Sequence, residues 1–200
     1  MDDAPGRGQP LTEEVLNVLE RHGATCSFFI VSSFVNGREK FMRDAVEKGH
    51  ELCNHGGEDI AYHLHDESSF RKILCDCEKV LGDFQPASVR PQESSECRVK
   101  WFRPPHGKVS RAMEDVLDKE GYRVAMCDCY GMDVICKPTY ISNYILKHAS
   151  EGSIVLLHMP EVGFREYNLQ VLEKVLRGLK LRGLRCVSLS QLERMSRACE

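Results

Sequence analysis

Short apolar runs and amphipathic stretches alternate along the whole of this 200-residue chain, and that alternation limits the fold more than any other feature. LTEEVLNVLERHG puts Leu11, Val15, Leu16 and Leu19 on one helical face and closes on a stop glycine, Gly23. TCSFFIV follows as a buried-strand run, REKFMRDAVEKG as a helix ending at Gly49, and HELCNH as a short strand. SSFRKILCDCEKVLG reads as a helix with a serine start and a glycine stop. A polar loop, DFQPASVRPQESSE, then leads to a strand that ends at WFRPP. In the second half Ser110 to Glu120 is helical, YRVAMCD is a strand, YISNYILKHAS a helix and SIVLLH a strand. YNLQVLEKVLRGLKLRG is a strongly periodic helix, LRCVSLS a strand, and QLERMSRACE a last helix.

Strands that alternate with helices pair in parallel, each helix carrying the chain back across the sheet. This reading contains seven helices and six strands, and the chain opens directly on a loop of the strand-to-helix type. The economical fold is a deformed (β/α)7 barrel whose first strand precedes Met1, with residues 1–200 as one domain, truncated at its N-terminus. Any signal peptide would lie upstream as well, so localisation stays open.

Composition removes some functional classes. A net charge of −3 gives no basic face for nucleic acid. The longest apolar run, SIVLLH, is far too short to span a bilayer. The ten cysteines include no Cys-x-x-Cys, only Cys75/Cys77 and Cys127/Cys129 two apart, a spacing that points to different faces of a helix. They read as reduced, small apolar side chains, although their even number leaves disulfides open.

The polar outliers fall at strand ends. His55 ends one strand, Arg103 ends the next, Asp128 and Asp133 follow the one after, and His158 ends another. Asp2 and Asp3 would follow the strand ahead of Met1. In a parallel βα barrel all these ends open on one rim, where active sites are built. Each residue alone has a bland reading, a satisfied core histidine or a solvated turn; their common place argues against coincidence. Carboxylates and imidazoles can hold a metal that acidifies a water, a spare carboxylate can take the proton, and a spare histidine can protonate a leaving group. That set suits hydrolysis of an amide or ester.

Four motifs in this order resemble the NodB-type polysaccharide deacetylases, a carbohydrate esterase family of deformed βα barrels. DDAPG is similar to the end of the family's Thr-Phe-Asp-Asp-Gly-Pro motif, with Ala4 at the glycine position. GHELCNH, FRPPHG and VLLH resemble its Gly-His-Glu-Leu/Ile-Gly-Asn-His, Arg-Pro-Pro-Tyr/His-Gly and Leu-x-His motifs, and CDCYGMD its aspartate-bearing fourth motif. The resemblance implies a metal-dependent hydrolase, zinc the first choice of divalent metal, that removes N-acetyl groups from an N-acetylated glycan of chitin or peptidoglycan type. It implies Asp2 as general base, Arg103 as the cation that holds Asp2 ionised, His158 as general acid and Asp133 as the group that orients it. Asp3 and His55 become metal ligands. Leu156 lines the pocket for the acetyl methyl, Pro105 and His106 contact substrate, and a backbone N–H of the Arg103 loop faces the oxyanion.

Besides the absence of the strand that carries the first motif, the chain departs from that family in two places. Where the family writes His-Ser/Thr-x-x-His, the second ligand position is Asp59, and the tryptophan expected after the fourth-motif aspartate is Val134. Residues four apart in a helical turn share a face, so His55 and Asp59 could reach one ion, with Gly56 and Gly57 letting the backbone approach. His63 and His65 compete for the same role on a different loop path. The loops Asp83 to Glu96 and Pro160 to Glu166 would shape substrate choice. Two other readings stand beside the enzyme: a barrel of this fold that binds sugar without catalysis, and a thiol-regulated protein using Cys127, Cys129 and Cys136.

Overall fold

A computed structural model describes residues 1–85 and 99–198. Most of the Asp83 to Glu96 loop lies outside the described residues. Within them the chain runs α1 (Thr12–His22), β1 (Ser27–Ile30), α2 (Glu39–Glu47), β2 (Glu51–Asn54), α3 (Glu67–Gly82) and β3 (Lys100–Phe102). It continues through α4 (Arg111–Lys119), β4 (Tyr122–Val124), β5 (Cys129–Tyr130), α5 (Pro138–His148), β6 (Val155–Leu156), α6 (Asn168–Leu181) and α7 (Leu189–Arg197). The helices begin and end where the chain chemistry directs. The Asp66 carboxylate accepts the Ser69 N–H at the start of α3, and Gly23 takes the left-handed conformation (φ 63°) that ends α1.

All strand pairing is parallel. β1, β2, β3 and β4 form one sheet in that order, and β5 pairs with β6. Residues 1–4 join the two groups. Asp2 forms a parallel bridge with His158, and Ala4 with Ile30. On one side the Asp2 N–H donates to Leu157 O and the Met159 N–H to Asp2 O; on the other the Phe29 N–H donates to Met1 O and the Val31 N–H to Ala4 O, each at 2.9 Å. Residues 1–4 thus lie between β6 and β1, where the strand expected to lead into Asp2 would end. The order becomes β5, β6, residues 1–4, β1, β2, β3, β4: an open, deformed barrel.

Alternation along each strand separates two cores. Outward residues such as Phe28, Ile30, Leu52 and Leu157 pack with Val15, Leu19, Ile141, Val171 and Val175 of the surrounding helices. Inward residues stack in tiers. At the floor, Ser27 Oγ and Ser190 Oγ both donate to the buried Glu51 carboxylate, and Trp101 Nε1 donates to Ser190 Oγ. Above them Phe29, Cys53, Ala125 and Leu189 form a dry tier with Trp101 and Ile154. The uppermost tier carries the polar residues at the strand ends.

Two expected strands are corrected. YRVAMCD is not one strand: β4 stops at Val124, and the chain enters β5 only at Cys129. β3 runs into Pro104 and Pro105, which have no N–H to extend the ladder, and the Ala125 carbonyl accepts instead from Arg103 Nε at 2.6 Å. Asp128 precedes β5 rather than following a strand end; it is exposed and accepts the Ile154 N–H at 2.5 Å. LRCVSLS forms no ladder either; the Thr25 N–H to Cys186 O bond (3.2 Å) joins it to the approach to β1. Ser188 turns it into α7 through a capping box with Gln191, two residues earlier than the apolar pattern indicates. The eight described cysteines are all free; Cys53, Cys77 and Cys129 are buried and the other five are partly buried.

Candidate active site

The upper tier gathers Asp2, Asp3, His55, Arg103, Asp133 and His158, drawn from positions spread over most of the chain. Asp2 and Arg103 form a buried ion pair, Nη1 to Oδ1 at 2.7 Å, with both side chains about one-twentieth exposed. The guanidinium also stacks 4.0 Å from the Phe29 ring centroid, a contact that positions it while its Nε holds Ala125 O. Burial would raise the Asp2 pKa, but the charges around it, with Arg103 the permanent one, outweigh burial and the net shift is downward. Asp2 is thereby held ionised.

His55 is oriented from behind. Its Nδ1 lies 2.6 Å from Arg103 O, and because a carbonyl only accepts, Nδ1 carries the hydrogen. Nε2 then presents its lone pair to the site, 3.7 Å from Asp3 Oδ1 and 3.9 Å from Asp2 Oδ2. Those separations are too long for hydrogen bonds. They suit two groups bound to one ion, since tetrahedral zinc ligands at roughly 2.1 Å lie about 3.4 Å apart. The pair Asp3 and His55 thus fits a divalent cation on donor chemistry and spacing alike. Among the described residues no set of three His, Cys, Asp or Glu side chains is arranged to close on one ion.

Asp59 does not join this pair. The carbonyls of Gly56 and Gly57 accept the N–H groups of Ser32 and Ser33, each at 3.0 Å, and Gly56 takes a positive φ of 86°, so the chain leaves His55 through a bend and not a helical turn. Tyr62 fixes the rest of the path. Its hydroxyl binds the Glu58 N–H (2.7 Å) and the Glu58 carbonyl (2.5 Å), and its ring lies where a Cβ on Gly56 would sit, 2.5 Å away. The one-face spacing argument therefore fails for His55 and Asp59. Asp59 stands at the rim, 3.5 Å from His106 Nε2, with both side chains more than a third exposed. His63 and His65 each keep a buried Nδ1 with no hydrogen-bond partner. Of the two residues expected to contact substrate in this loop, His106 is half-exposed and Pro105 is buried. The Arg103 N–H is engaged by Asn54 O at 3.1 Å, so an oxyanion donor in this loop would be a later amide.

His158 and Asp133 form the second polar unit. His158 Nδ1 is 2.7 Å from Asp133 Oδ1, and the His158 backbone N–H donates to Oδ2 at the same distance. Burial pulls the His158 pKa down, but the hydrogen bond and the charge of fully buried Asp133 prevail, and the net shift is upward. For Asp133 burial acts upward and the same pairing with His158 wins, so its pKa is lowered. Leu156 shares the inward face of His158, since Val155 and Leu157 on either side pack into the outer core.

Several participants escape sequence reasoning. Asn168, the first residue of α6, donates from Nδ2 to Asp133 Oδ2 (2.7 Å) and to His158 O (3.0 Å), and the Tyr167 hydroxyl donates to Asp133 O (2.8 Å). Arg165 donates from Nη1 to Asp3 Oδ2 at 3.0 Å. A polar residue at the first position of an otherwise apolar helix face was the available signal for Asn168; nothing local marks Arg165.

A family model described as polysaccharide deacetylase matches residues 1–125. The chain belongs to that family. A peptidoglycan-N-acetylglucosamine deacetylase of Bacillus cereus is 26% identical over 96% of this chain and 85% of its own length. Among solved structures, the Xyl-CE4 domain of a multidomain xylanase from the hindgut metagenome of Trinervitermes trinervoides superposes with a TM-score of 0.82 at 26% identity, covering 98% of this chain and 88% of that one. A family 4 acetyl xylan esterase from Clostridium thermocellum, in complex with a cobalt ion, has the same fold (TM-score 0.82, 23% identity, 98% and 88% covered). So does a CE4 family pseudoenzyme from Bacillus anthracis (TM-score 0.77, 19% identity, 96% and 63% covered).

Proposed function

We propose that this chain hydrolyses N-acetyl groups on a carbohydrate, an N-acetylglucosamine-containing glycan of chitin or peptidoglycan type, and that residues 1–200 constitute one deacetylase domain. The observation that carries the reading is the pair of opposed proton-handling units on one rim. Asp2, ionised beside Arg103, stands on the chain segment next to His158, protonated beside Asp133. The first is equipped to take a proton and the second to give one, the division of labour amide hydrolysis needs.

Asp3 and His55 would hold a divalent cation, zinc the first choice. Asp59 stays a candidate third ligand, and so do His63 and His65, whose unpartnered Nδ1 atoms mark them as groups without a structural hydrogen bond. When bound, such a cation supplies positive charge that acidifies water and polarises an amide carbonyl. The chain's own residues do the rest. Asp2 removes a proton from the attacking water, and Arg103 keeps its carboxylate aimed. His158 delivers a proton from Nε2 to the departing amine while Nδ1–H stays bound to Asp133, and Leu156 faces the acetyl methyl. Pro105 and His106 flank the entering sugar.

The test is acetate release from a panel of N-acetylated oligosaccharides in the presence of zinc or cobalt. His158→Ala should lower kcat by roughly 10²–10⁴-fold, the usual worth of a positioned proton donor, with KM changed far less. Unaltered turnover in that variant would remove His158 from the mechanism. A second reading, a barrel that binds glycan without catalysis, draws on the separation of Asp59 from His55 and Asp3. Glycan binding without acetate release at saturating cation would establish it.

A further inference from the structure

Each of the two adjacent aspartates has its own arginine. Asp2 is paired with Arg103 at 2.7 Å, and Asp3 with Arg165 at 3.0 Å. The parallel extends to stacking, with Arg103 4.0 Å from the Phe29 ring centroid and Arg165 4.3 Å from that of Phe164. Arg165 comes from the loop after His158 and is not part of the proton-transfer units. Its side chain is only 11% exposed, and its Nε is buried without a partner.

Two features show that the fold aims this residue. Asp3 and Arg165 both have positive φ, 57° and 55°, a conformation that non-glycine residues keep only when their surroundings over-determine it. Glu161 supplies the anchor. Its carboxylate accepts the N–H groups of Arg7 (3.0 Å) and Gly8 (2.5 Å), and its backbone bridges Pro10 and Arg165. The loop is thus fastened to the segment that follows Asp3, and the ion pair spans the junction.

The two oxygens of Asp3 are divided. Oδ1 faces His55 Nε2 at 3.7 Å, and Oδ2 is taken by Arg165. We infer that Arg165 is a positioning residue for Asp3: by holding Oδ2 it fixes the carboxylate with Oδ1 turned to a cation shared with His55. The inference rests on the proposed cation site. Its direction is not trivial, because a guanidinium so close also repels a cation, and the two effects oppose each other in the affinity. Hydrogen-bonded partners of ligating carboxylates are worth roughly 10–100-fold in metal affinity, whereas simple charge repulsion predicts tighter binding when the arginine is removed.

Cobalt(II) titration, followed by its visible absorption, decides between them. Arg165→Gln should bind cobalt roughly 10–100-fold more weakly than the wild type, with an altered absorption band. Without metal it should melt at a lower temperature, because Asp3 loses a buried ion-pair partner, yet still unfold in one transition, because the Glu161 anchor is untouched. Arg165→Lys should recover part of the affinity. Equal or tighter binding by Arg165→Gln, or a Lys variant no better than Gln, overturns the positioning role while leaving the cation site intact. A wild-type protein that takes up no cobalt overturns the Asp3 and His55 ligand pair, and this inference with it. Failure of acetate release alone bears on the catalytic reading and leaves this one standing.

Discussion

Replacing Asp133 with asparagine tests the proton-donor unit while changing almost no volume. Three hydrogens point at the Asp133 carboxylate: His158 Nδ1–H onto Oδ1, and the His158 backbone N–H and Asn168 Nδ2 onto Oδ2, all at 2.7 Å. An amide has one accepting oxygen and one donating NH2. Its oxygen serves the two donors at Oδ2 best, and its NH2 then meets His158 Nδ1. The imidazole must adopt the tautomer with hydrogen on Nε2 only, and it loses the negative charge that raises its pKa. In the wild type, activity dependent on protonated His158 should hold from about 6.5 upward until pH passes the raised pKa. In Asp133→Asn the alkaline limb should move to 6.5 or below. At pH 8, kcat should fall by roughly 10²-fold, the lower end of what a positioned proton donor contributes. Stability should drop by about 1–3 kcal/mol for the mismatched buried donor. The linkage has a definite window. His158 contributes stability fully present below its unfolded value near 6.5 and lost as pH rises through the folded pKa. Asp133 contributes stability present above about 3.8 and lost as pH falls through its lowered one. The variant's stability deficit should therefore be largest between about pH 4 and 6.5. Acetate release against pH, with urea denaturation at matched pH, reads both quantities. An alkaline limb that stays in place would refute the claim that Asp133 sets the charge of His158.

Arg103→Met should leave the buried Asp2 without its partner, so that burial dominates and its pKa rises; the acidic limb of kcat/KM then moves to higher pH, and urea denaturation should show a loss of about 3–5 kcal/mol. His50 sits buried where β2 begins, its Nδ1 accepting the Cys26 N–H, and burial lowers its pKa to about 4. Its neutral form supports the fold above pH 6.5, and stability worth about 3 kcal/mol should disappear as pH falls from 6.5 through 4, a slope that His50→Phe should remove. For the cation site, His55→Ala should abolish cobalt uptake by equilibrium dialysis, whereas Asp59→Ala should weaken it by a smaller factor; equal losses would mean that Asp59 swings in from the rim on binding.

The helices were legible because each carries an apolar face and a glycine or serine boundary, and those signals are local. The strand-end placement of Asp2, His55, Arg103 and His158 was legible for a topological reason: parallel strands put all their ends on one rim. Reading failed where a distant group intervened. Nothing within YRVAMCD shows that Arg103 will take the Ala125 carbonyl, and the helical spacing of His55 and Asp59 gives no hint that Ser32 and Ser33 tie down the intervening backbone. Arg165 reaches Asp3 across 162 positions. LRCVSLS is different, since the Ser188 and Gln191 capping box was present in the sequence and outweighs the apolar alternation around it.

The barrel floor has a bearing on the order of assembly. Ser27 and Glu51 belong to the first two strands, yet Ser27 Oγ receives the Leu189 N–H and Glu51 receives Ser190, contacts that span 162 and 139 positions. During synthesis β1 and β2 exist long before those partners do, so Phe29 and Cys53 keep a wet inner face until the start of α7 emerges. Loop-closure entropy falls due before such contacts repay it, which makes the closing of the floor a late and non-local step. A nascent chain stopped at Val187 should accordingly expose its inner tier to a hydrophobic dye and a protease, and release of the α7 segment should end that exposure.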